Sequence, residues 1–356
     1  MNRRELLALL ATSVPFASIA CSPRPASFAD EKGEPHAIEP LASLLVPVGL
    51  RGFVEFSPRS IADSVDLLPA IATLVPEERF DAFRDRNAGI DLRRLDEVVW
   101  ADYGATSLIL ARGSFDVRRI VREFDLRARG EVTKFVTRTK SPAGATFDPL
   151  VTLEDRGDFR SDGRPGGAKT DASPRRAATL FGARALAFET GPPGPMRAAA
   201  LFAERRLKRS RPALAVPPLD EAAKRTPSGI VRAFAAGPFD ETWQPGLGGL
   251  LASASAASLA VRVEPKGQRP PRLHIGLRVF GAWGDAAGAA GTRLRAWADT
   301  FADSAFGRLL ELEGPVHAAE LASDRNSLTL EGSFDSMALA RGIRAATSAQ
   351  IDEVVR

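Results

Sequence analysis

Cysteine is almost absent from this chain of 356 residues, which contains one, at position 21. A single thiol excludes an intramolecular disulfide and any metal site built from several cysteines. If Cys21 carries a covalent modification, the mature chain has neither a free thiol nor a cysteine nucleophile. We therefore expect that the function of the folded part does not depend on thiol chemistry.

Histidine is also scarce, with three residues in the chain: His36, His274 and His317. His36 lies in a polar segment, His274 alternates within a predicted strand, and His317 begins another predicted strand. None of them has a second ligand at metal-binding spacing on a predicted helix. Sequence signatures of serine hydrolases and of phosphate-binding loops are absent. We therefore predict no catalytic residue, no metal site and no cofactor.

Neither sign of charge dominates, because 48 basic residues face 44 acidic ones and the net charge is +4. This mixture does not predict a nucleic-acid partner. The densest basic run follows a predicted helix, where cations complement the negative end of the helix dipole. It could also contact anionic lipid headgroups or another envelope polymer. The run consists of Arg205, Arg206, Lys208, Arg209 and Arg211.

The chain begins with a segment of three parts that ends at the only cysteine. Arg3 and Arg4 make its start positive, residues 6–19 form an apolar run, and small residues lead to Cys21. This order is typical of a secretory signal. The apolar run is shorter than the roughly 20 residues that a membrane-spanning helix needs. We expect residues 1–20 to be a cleaved signal peptide.

Ile19, Ala20 and Cys21 resemble the processing site of bacterial lipoproteins, although Ser18 stands where that family usually has leucine. The resemblance covers only the signal segment. It implies that Cys21 carries a diacylglyceryl group, with acyl chains such as palmitate, that anchors the protein in a membrane of the cell envelope. Ser22 is not the aspartate that signals inner-membrane retention, which favours the outer membrane. Arg3 and Arg4 also resemble the twin-arginine signal, which implies export in a folded state.

Three further segments follow from composition. Residues 21–44 contain prolines and mixed charges without periodicity, which predicts a lipidated N-terminus and a flexible tether. The rest is long for one hydrophobic core, and prolines between 211 and 218 suggest a boundary. We predict a first unit at 45–215 and a second at 216–356. Within the first unit, the polar stretch 155–176 is typical of a long mobile loop.

An internal repeat supports this division. A predicted strand followed by Gly-Ser-Phe-Asp occurs at 107–116 and again at 327–335, each time before a predicted helix. Ser or Asp caps a helix start, so capping explains the motif without a catalytic role. Each half contains predicted strands, hairpins and helices in a similar order. We predict an α+β fold, made by tandem duplication of a unit with an antiparallel sheet and helices packed on one face.

Three functions remain open at this stage. The first is a non-catalytic envelope lipoprotein that binds a partner protein or acts as a scaffold. The second is a carrier of a hydrophobic ligand, such as a lipid, in a cleft between the two halves. The third is a hydrolase with a dispersed acidic site around Asp148, Glu154 and Asp155. The lipid-anchor signal, together with the lack of any site pattern, favours the first function.

Overall fold

A computed structural model describes residues 38–128, 131–137, 149–155, 175–207, 211–264 and 271–355. The chain divides into two compact units. The first unit contains residues 38–58 and 81–216, and the second contains residues 59–80 and 217–355. Segment 59–80, which the sequence placed in the first unit, therefore belongs to the second.

The sheet of the first unit is antiparallel, with strands in the order β1-β2-β3-β7-β6-β5-β4. Its strands are β1 (Gly52–Phe56), β2 (Glu97–Asp102), β3 (Ser107–Arg112), β4 (Val132–Thr137), β5 (Leu150–Asp155), β6 (Arg176–Phe181) and β7 (Ala185–Thr190). The predicted loop 155–176 is described only at its ends, where Asp155 closes β5 and Arg176 opens β6.

The sheet of the second unit is also antiparallel, in the order β8-β9-β10-β12-β11. Its strands are β8 (Val231–Ala236), β9 (Ala254–Val263), β10 (Arg272–Gly281), β11 (Glu320–Ser323) and β12 (Ser327–Asp335). The antiparallel strands of each unit and the helices beside them confirm the predicted α+β class.

The described helices are short, apart from two in the second unit. They are α1 (Pro58–Ala62), α2 (Leu68–Leu74), α3 (Glu77–Arg86), α4 (Val117–Arg127), α5 (Pro195–Ala203), α6 (Leu219–Arg225), α7 (Gly246–Gly249), α8 (Ala287–Asp303), α9 (Ala305–Leu309), α10 (Glu313–His317) and α11 (Ser336–Val355). Within the described ranges, none combines the length and apolarity that crossing a membrane would require.

In each unit a helix packs on one face of the sheet, and other elements cover part of the opposite face. In the first unit, Ile120 and Val121 of α4 join the core formed by Val98, Val151 and Leu180. The opposite face is covered by the 3-10 turn Leu41–Leu44 and by α5. In the second unit, α8 packs on the face that contains Val279, Leu328 and Leu330. Helix α6 contacts the other face through the side-chain hydrogen bond between Thr226 and Ser258.

The predicted tether, 21–44, was wrong for residues 38–44, which belong to the first unit. Residues 21–37 lie outside the described part, but Ile38, Leu41, Leu44 and Leu45 are each at most 3% exposed. The Ala213 N–H donates a hydrogen bond to the Leu45 carbonyl, which ties this segment to the end of the unit. Apolar side chains at this spacing bury readily, so residues 38–44 belong to the fold of the first unit.

Two predicted elements of the second unit were wrong. Trp297, Phe301 and Phe306 lie within a stretch, 292–312, for which the sequence predicts a single helix, but Ser304 accepts a hydrogen bond from the Gly307 N–H and caps a new helix, α9. A strand at 316–321 was also expected. Instead α10 includes Val316 and His317, and β11 begins at Glu320. Proline is tolerated in a first helical turn, so Pro315 does not prevent this helix.

Candidate functional site

The predicted basic run is only partly described. Arg205, Arg206 and Arg211 are exposed, whereas Lys208 and Arg209 lie outside the described residues. Helix α5 ends at Ala203, and Arg205 has a left-handed backbone with φ of 56°. Arg206 forms an ion pair with Glu204 at 3.1 Å, so part of its charge is already compensated. Arg3, Arg4 and Cys21 also lie outside the described part.

The predicted acidic group does not converge among the residues that are described. Asp148 is outside them, and Glu154 and Asp155 are consecutive on β5, so their side chains point to opposite faces. Glu154 accepts a hydrogen bond of 2.6 Å from Arg175. The same guanidinium reaches Glu189, which is 1% exposed, at 2.7 Å. Arg175 therefore forms ion pairs with both Glu154 and Glu189.

In both units the aspartate of the Gly-Ser-Phe-Asp copy caps a helix start, although in the second unit the motif itself is the end of strand β12. Asp116 accepts a hydrogen bond of 3.0 Å from the Arg119 N–H. Asp335 accepts one of 2.8 Å from the Ala338 N–H, at the same spacing. Both aspartates therefore satisfy a backbone donor of the first helical turn, as the sequence predicted.

The most unusual group of charged side chains lies on one face of the second unit's sheet. Strand pairing places it in three rows, each of which crosses β9, β10 and β12. The rows are Arg262–His274–Ser333, Ala260–Gly276–Glu331 and Ser258–Arg278–Thr329. Side chains directly opposite each other on paired strands are neighbours, so these residues form one patch. We call it the arginine patch.

Glu331 is the carboxylate at the centre of the arginine patch. It accepts a hydrogen bond of 3.0 Å from Arg278, and His274 Nε2 lies 3.0 Å from its other oxygen. An ionised carboxylate only accepts hydrogen bonds, so His274 carries its proton on Nε2 in this contact. Arg262 is 3.7 Å from the same oxygen. Partial burial opposes ionisation, but the bonds from His274 and Arg278 outweigh it and lower the pKa of Glu331.

Small residues form the floor of the arginine patch. Ala260 and Gly276 are buried and occupy the middle row beside Glu331. A Cβ atom at position 276 would lie 3.3 Å from the Glu331 side chain, so that side chain lies across the glycine. The flanking long side chains keep 24% to 39% exposure.

The sequence analysis missed the arginine patch. Alternating polar residues in β10, at positions 272, 274 and 278, were a signal that one face is polar. Their partners lie on other strands, and Glu331 is more than fifty residues away along the chain. Only the strand register brings these residues together.

A second group contains the histidine that was predicted to begin a strand. Asp303, Glu313 and His317 each offer one ligand atom, and these atoms lie within 4.8 Å of one another. His317 Nε2 is 3.3 Å from Asp303. Carboxylate oxygens and an imidazole nitrogen are chemically able to hold a divalent ion. All three residues are exposed. The sequence analysis missed this grouping because it placed His317 in a strand.

In the first unit, Glu97 anchors the N-terminal segment. Its Oε1 accepts a hydrogen bond of 3.0 Å from the Leu41 N–H, and its Oε2 lies 3.3 Å from Arg112. Arg112 also pairs with Glu39 at 2.9 Å. Burial raises the pKa of Glu97 in spite of these partners, and the nearby Glu55 contributes in the same direction.

No family model and no curated protein matches this chain. The structure is similar to crystal structures of TP0453. Crystal form III is 13% identical, with 87% of this chain and 99% of that chain covered and a TM-score of 0.46. Crystal form IV is 12% identical, with 84% and 97% covered and a TM-score of 0.42. At these identities the similarity concerns the fold, and no functional property is taken from it.

Proposed function

We propose that the chain is a lipid-anchored protein of the bacterial cell envelope, in the outer membrane, that binds a partner instead of turning over a substrate. The observation that carries this proposal is the position of Cys21, the only cysteine, directly after a signal-like segment. Two or more acyl chains hold a protein at a membrane far more firmly than one. The anchor, rather than a helix, would provide the attachment.

The start of the folded part is consistent with such an anchor. Among the described residues, buried side chains begin at Ile38, and a chain from Cys21 to Ile38 can span at most roughly 60 Å. The first unit would therefore remain near the membrane surface. In the described part of the chain, the carboxylates of Glu97, Glu154, Glu189 and Glu331 each contact a basic side chain or a backbone N–H. Such pairing favours a binding or structural role over acid–base catalysis.

The anchor is tested by expressing the full chain in a bacterium and separating membranes from the aqueous fraction. The natural chain should sediment with membranes and need detergent for release, and Cys21→Ser should be aqueous. The matched control moves the thiol by combining Cys21→Ser with Ser27→Cys, which should also be aqueous because processing is position-specific. An aqueous natural chain, or membrane attachment of the Cys21→Ser chain, would contradict the proposal.

Experiments on the same Cys21→Ser chain distinguish the proposed function from the hydrophobic-ligand carrier and from the hydrolase. A lipid that co-purifies without detergent and is seen by native mass spectrometry would support the hydrophobic-ligand carrier. Turnover of an envelope substrate that is lost in Glu154→Gln and kept in Asp155→Asn would support the hydrolase. The proposal predicts neither result.

A further inference from the structure

Two helices of the second unit each bring a pair of metal-ligating side chains to the same place. Asp299 and Asp303 are one turn apart on α8, and Glu313 and His317 are one turn apart on α10. Residues four apart lie on the same face of a helix, so the members of each pair are neighbours. His317 Nε2 lies 3.3 Å from Asp303 Oδ1 and 4.0 Å from Asp299 Oδ1, so the two pairs meet. We call these four residues the carboxylate–histidine cluster.

The fold holds the two helices in place without help from the cluster. Ala298 and Ala302 of α8 and Val316 of α10 belong to the hydrophobic core of the second unit. Arg295 of α8 donates hydrogen bonds to the main-chain carbonyls of Val316, at 2.9 Å, and Ala319. The end of α10 is therefore tied to α8, and the four side chains are positioned before any ligand arrives.

The spacing of the ligand atoms is compatible with a zinc ion. One ligand atom from each of Asp303, Glu313 and His317 lies within 4.8 Å of the other two. Ligands at zinc–nitrogen and zinc–oxygen distances of about 2.0 Å in a tetrahedron are about 3.3 Å from one another. The distance between His317 Nε2 and Asp303 Oδ1 is 3.3 Å. Zinc binds imidazole as well as carboxylate, whereas magnesium and calcium prefer oxygen ligands.

Asp299 provides an independent observation. Its Oδ1 atom is buried and accepts no hydrogen bond from any described residue, although the side chain as a whole is 35% exposed. Arg295 Nη1 is 3.8 Å away and His317 Nε2 is 4.0 Å away, both beyond hydrogen-bond distance. A buried polar atom without a partner is uncommon in proteins, and a bound ion is one way to satisfy it.

The charge around the cluster also favours a cation. Three carboxylates surround one imidazole, and the two arginines described beside them bond elsewhere. Arg295 donates to the main-chain carbonyls of α10 and keeps only the 3.8 Å approach to Asp299. Arg308 donates to the main-chain carbonyl of Asp303. A divalent cation would compensate the remaining negative charge.

From these observations we propose that the carboxylate–histidine cluster is a zinc-binding site that fastens α10 to α8. Asp303, Glu313 and His317 are its ligands, and Asp299 is the fourth. A metal that binds the folded unit and not the unfolded chain stabilises the fold. The site goes beyond the proposed function and does not depend on the lipid anchor, so it can succeed or fail separately.

The test uses the Cys21→Ser chain without an affinity tag, stripped of metal by a chelator and titrated with Zn²⁺ in a calorimeter. The substitution removes the only thiol, so sulfur cannot contribute to binding. We expect saturable binding of one ion that is at least about tenfold weaker in His317→Gln, since even residues behind the ligands typically contribute that much. His36→Gln is the matched control, because it removes the same ring from outside the cluster and should leave the affinity unchanged.

A second pair of variants separates ligation from a simple loss of surface charge. Glu313→Gln should weaken zinc binding. Glu311→Gln removes the same charge from an exposed residue two positions earlier, which pairs with Arg341, and should have no effect. Absence of saturable zinc binding, or equal affinity in His317→Gln and His36→Gln, would overturn the site. Binding of Mg²⁺ as tight as that of Zn²⁺ would overturn its assignment to zinc.

Thermal unfolding tests the role of Asp299. Without zinc, Asp299→Asn should be at least as stable as the natural residue, because it removes the charge from a buried oxygen that has no donor. Zinc should raise the unfolding midpoint of this variant less than that of the Cys21→Ser chain. An equal rise in both chains would overturn Asp299 as a ligand.

Discussion

Both units place a glutamate of the sheet beside an arginine, but the two carboxyl groups shift in opposite directions. Glu97 of the first unit lies under the N-terminal segment with a side chain 14% exposed, and its pKa is raised. Glu331 of the second unit is 25% exposed, and its pKa is lowered. Burial decides the first case, and hydrogen bonds from two basic side chains decide the second. The pKa of a carboxyl group beside an arginine is therefore raised or lowered according to the balance between its burial and its hydrogen bonds.

Both units contain a hairpin that leads to a capped helix, but the place of that hairpin in the strand order differs. Each has a hairpin whose second strand leads to an aspartate-capped helix. In the first unit that strand, β3, lies between β2 and the later strand β7. In the second unit the corresponding strand, β12, lies between β11 and the earlier strand β10. Both the internal repeat and the duplication of whole units stay predictions.

The largest loss of stability is expected from a substitution in the buried 3-10 turn Leu41–Leu44 of the first unit. Leu41→Ala should lower the free energy of unfolding by about 2–5 kcal/mol, because Leu41 is 1% exposed and its removal leaves a cavity. Urea denaturation measures this change. Leu309→Ala is the matched control in the second unit, since Leu309 is 42% exposed and should lose little. Similar losses in both variants would mean that this segment is not part of the core.

The next effect concerns the shared helix starts. Asp116→Ala and Asp335→Ala should each lower the free energy of unfolding by about 1 kcal/mol, because each leaves a first-turn N–H without its acceptor. Replacement with asparagine, which can still accept that bond, should restore most of the loss. Thermal or urea unfolding of the four variants provides the comparison. A clear loss of stability in one alanine variant and none in the other would show that the two aspartates are not equivalent helix caps.

A smaller, pH-dependent effect should distinguish Glu331. Its folded-state pKa lies below the ordinary value of 4.5, so the ionised form stabilises the fold. This contribution is complete above that ordinary value and disappears as the pH falls through the folded-state pKa. The stability difference between the natural chain and Glu331→Gln should therefore shrink on acidification from about pH 6 to pH 3. Urea midpoints that keep a constant difference would contradict the assigned hydrogen bonds.

For Glu97, the pH dependence of stability should have the opposite sign, and we expect this effect to be the smallest. Its folded-state pKa is raised, so its contribution is complete below the unfolded value of 4.5 and is lost as the pH rises through the folded-state pKa. Relative to Glu97→Gln, the natural chain should gain stability on acidification. Titration of urea midpoints for this pair checks the sign. A slope parallel to that of Glu331 would show that Arg112, not burial, controls this carboxyl.

Local patterns in the sequence predicted much of the fold and little of the arginine patch. Alternation and turn residues located the β2–β3 hairpin, and Asp116 and Asp335 marked two helix starts. The boundary of the tether was misplaced because prolines and charges near Ile38 hid a short apolar cluster. Helix α10 was missed because His317 was predicted to begin a strand. Arg262, His274, Arg278 and Glu331 become neighbours only through strand register, which composition and spacing do not encode.

The central claim, a lipid on Cys21, is tested most directly by the mass of the N-terminal peptide released from membrane-extracted protein. The account predicts that the mature chain begins at Cys21 and that its first peptide carries the added mass of a diacylglyceryl group. A first peptide with an unmodified thiol, or a chain that still contains residues 1–20, would contradict it.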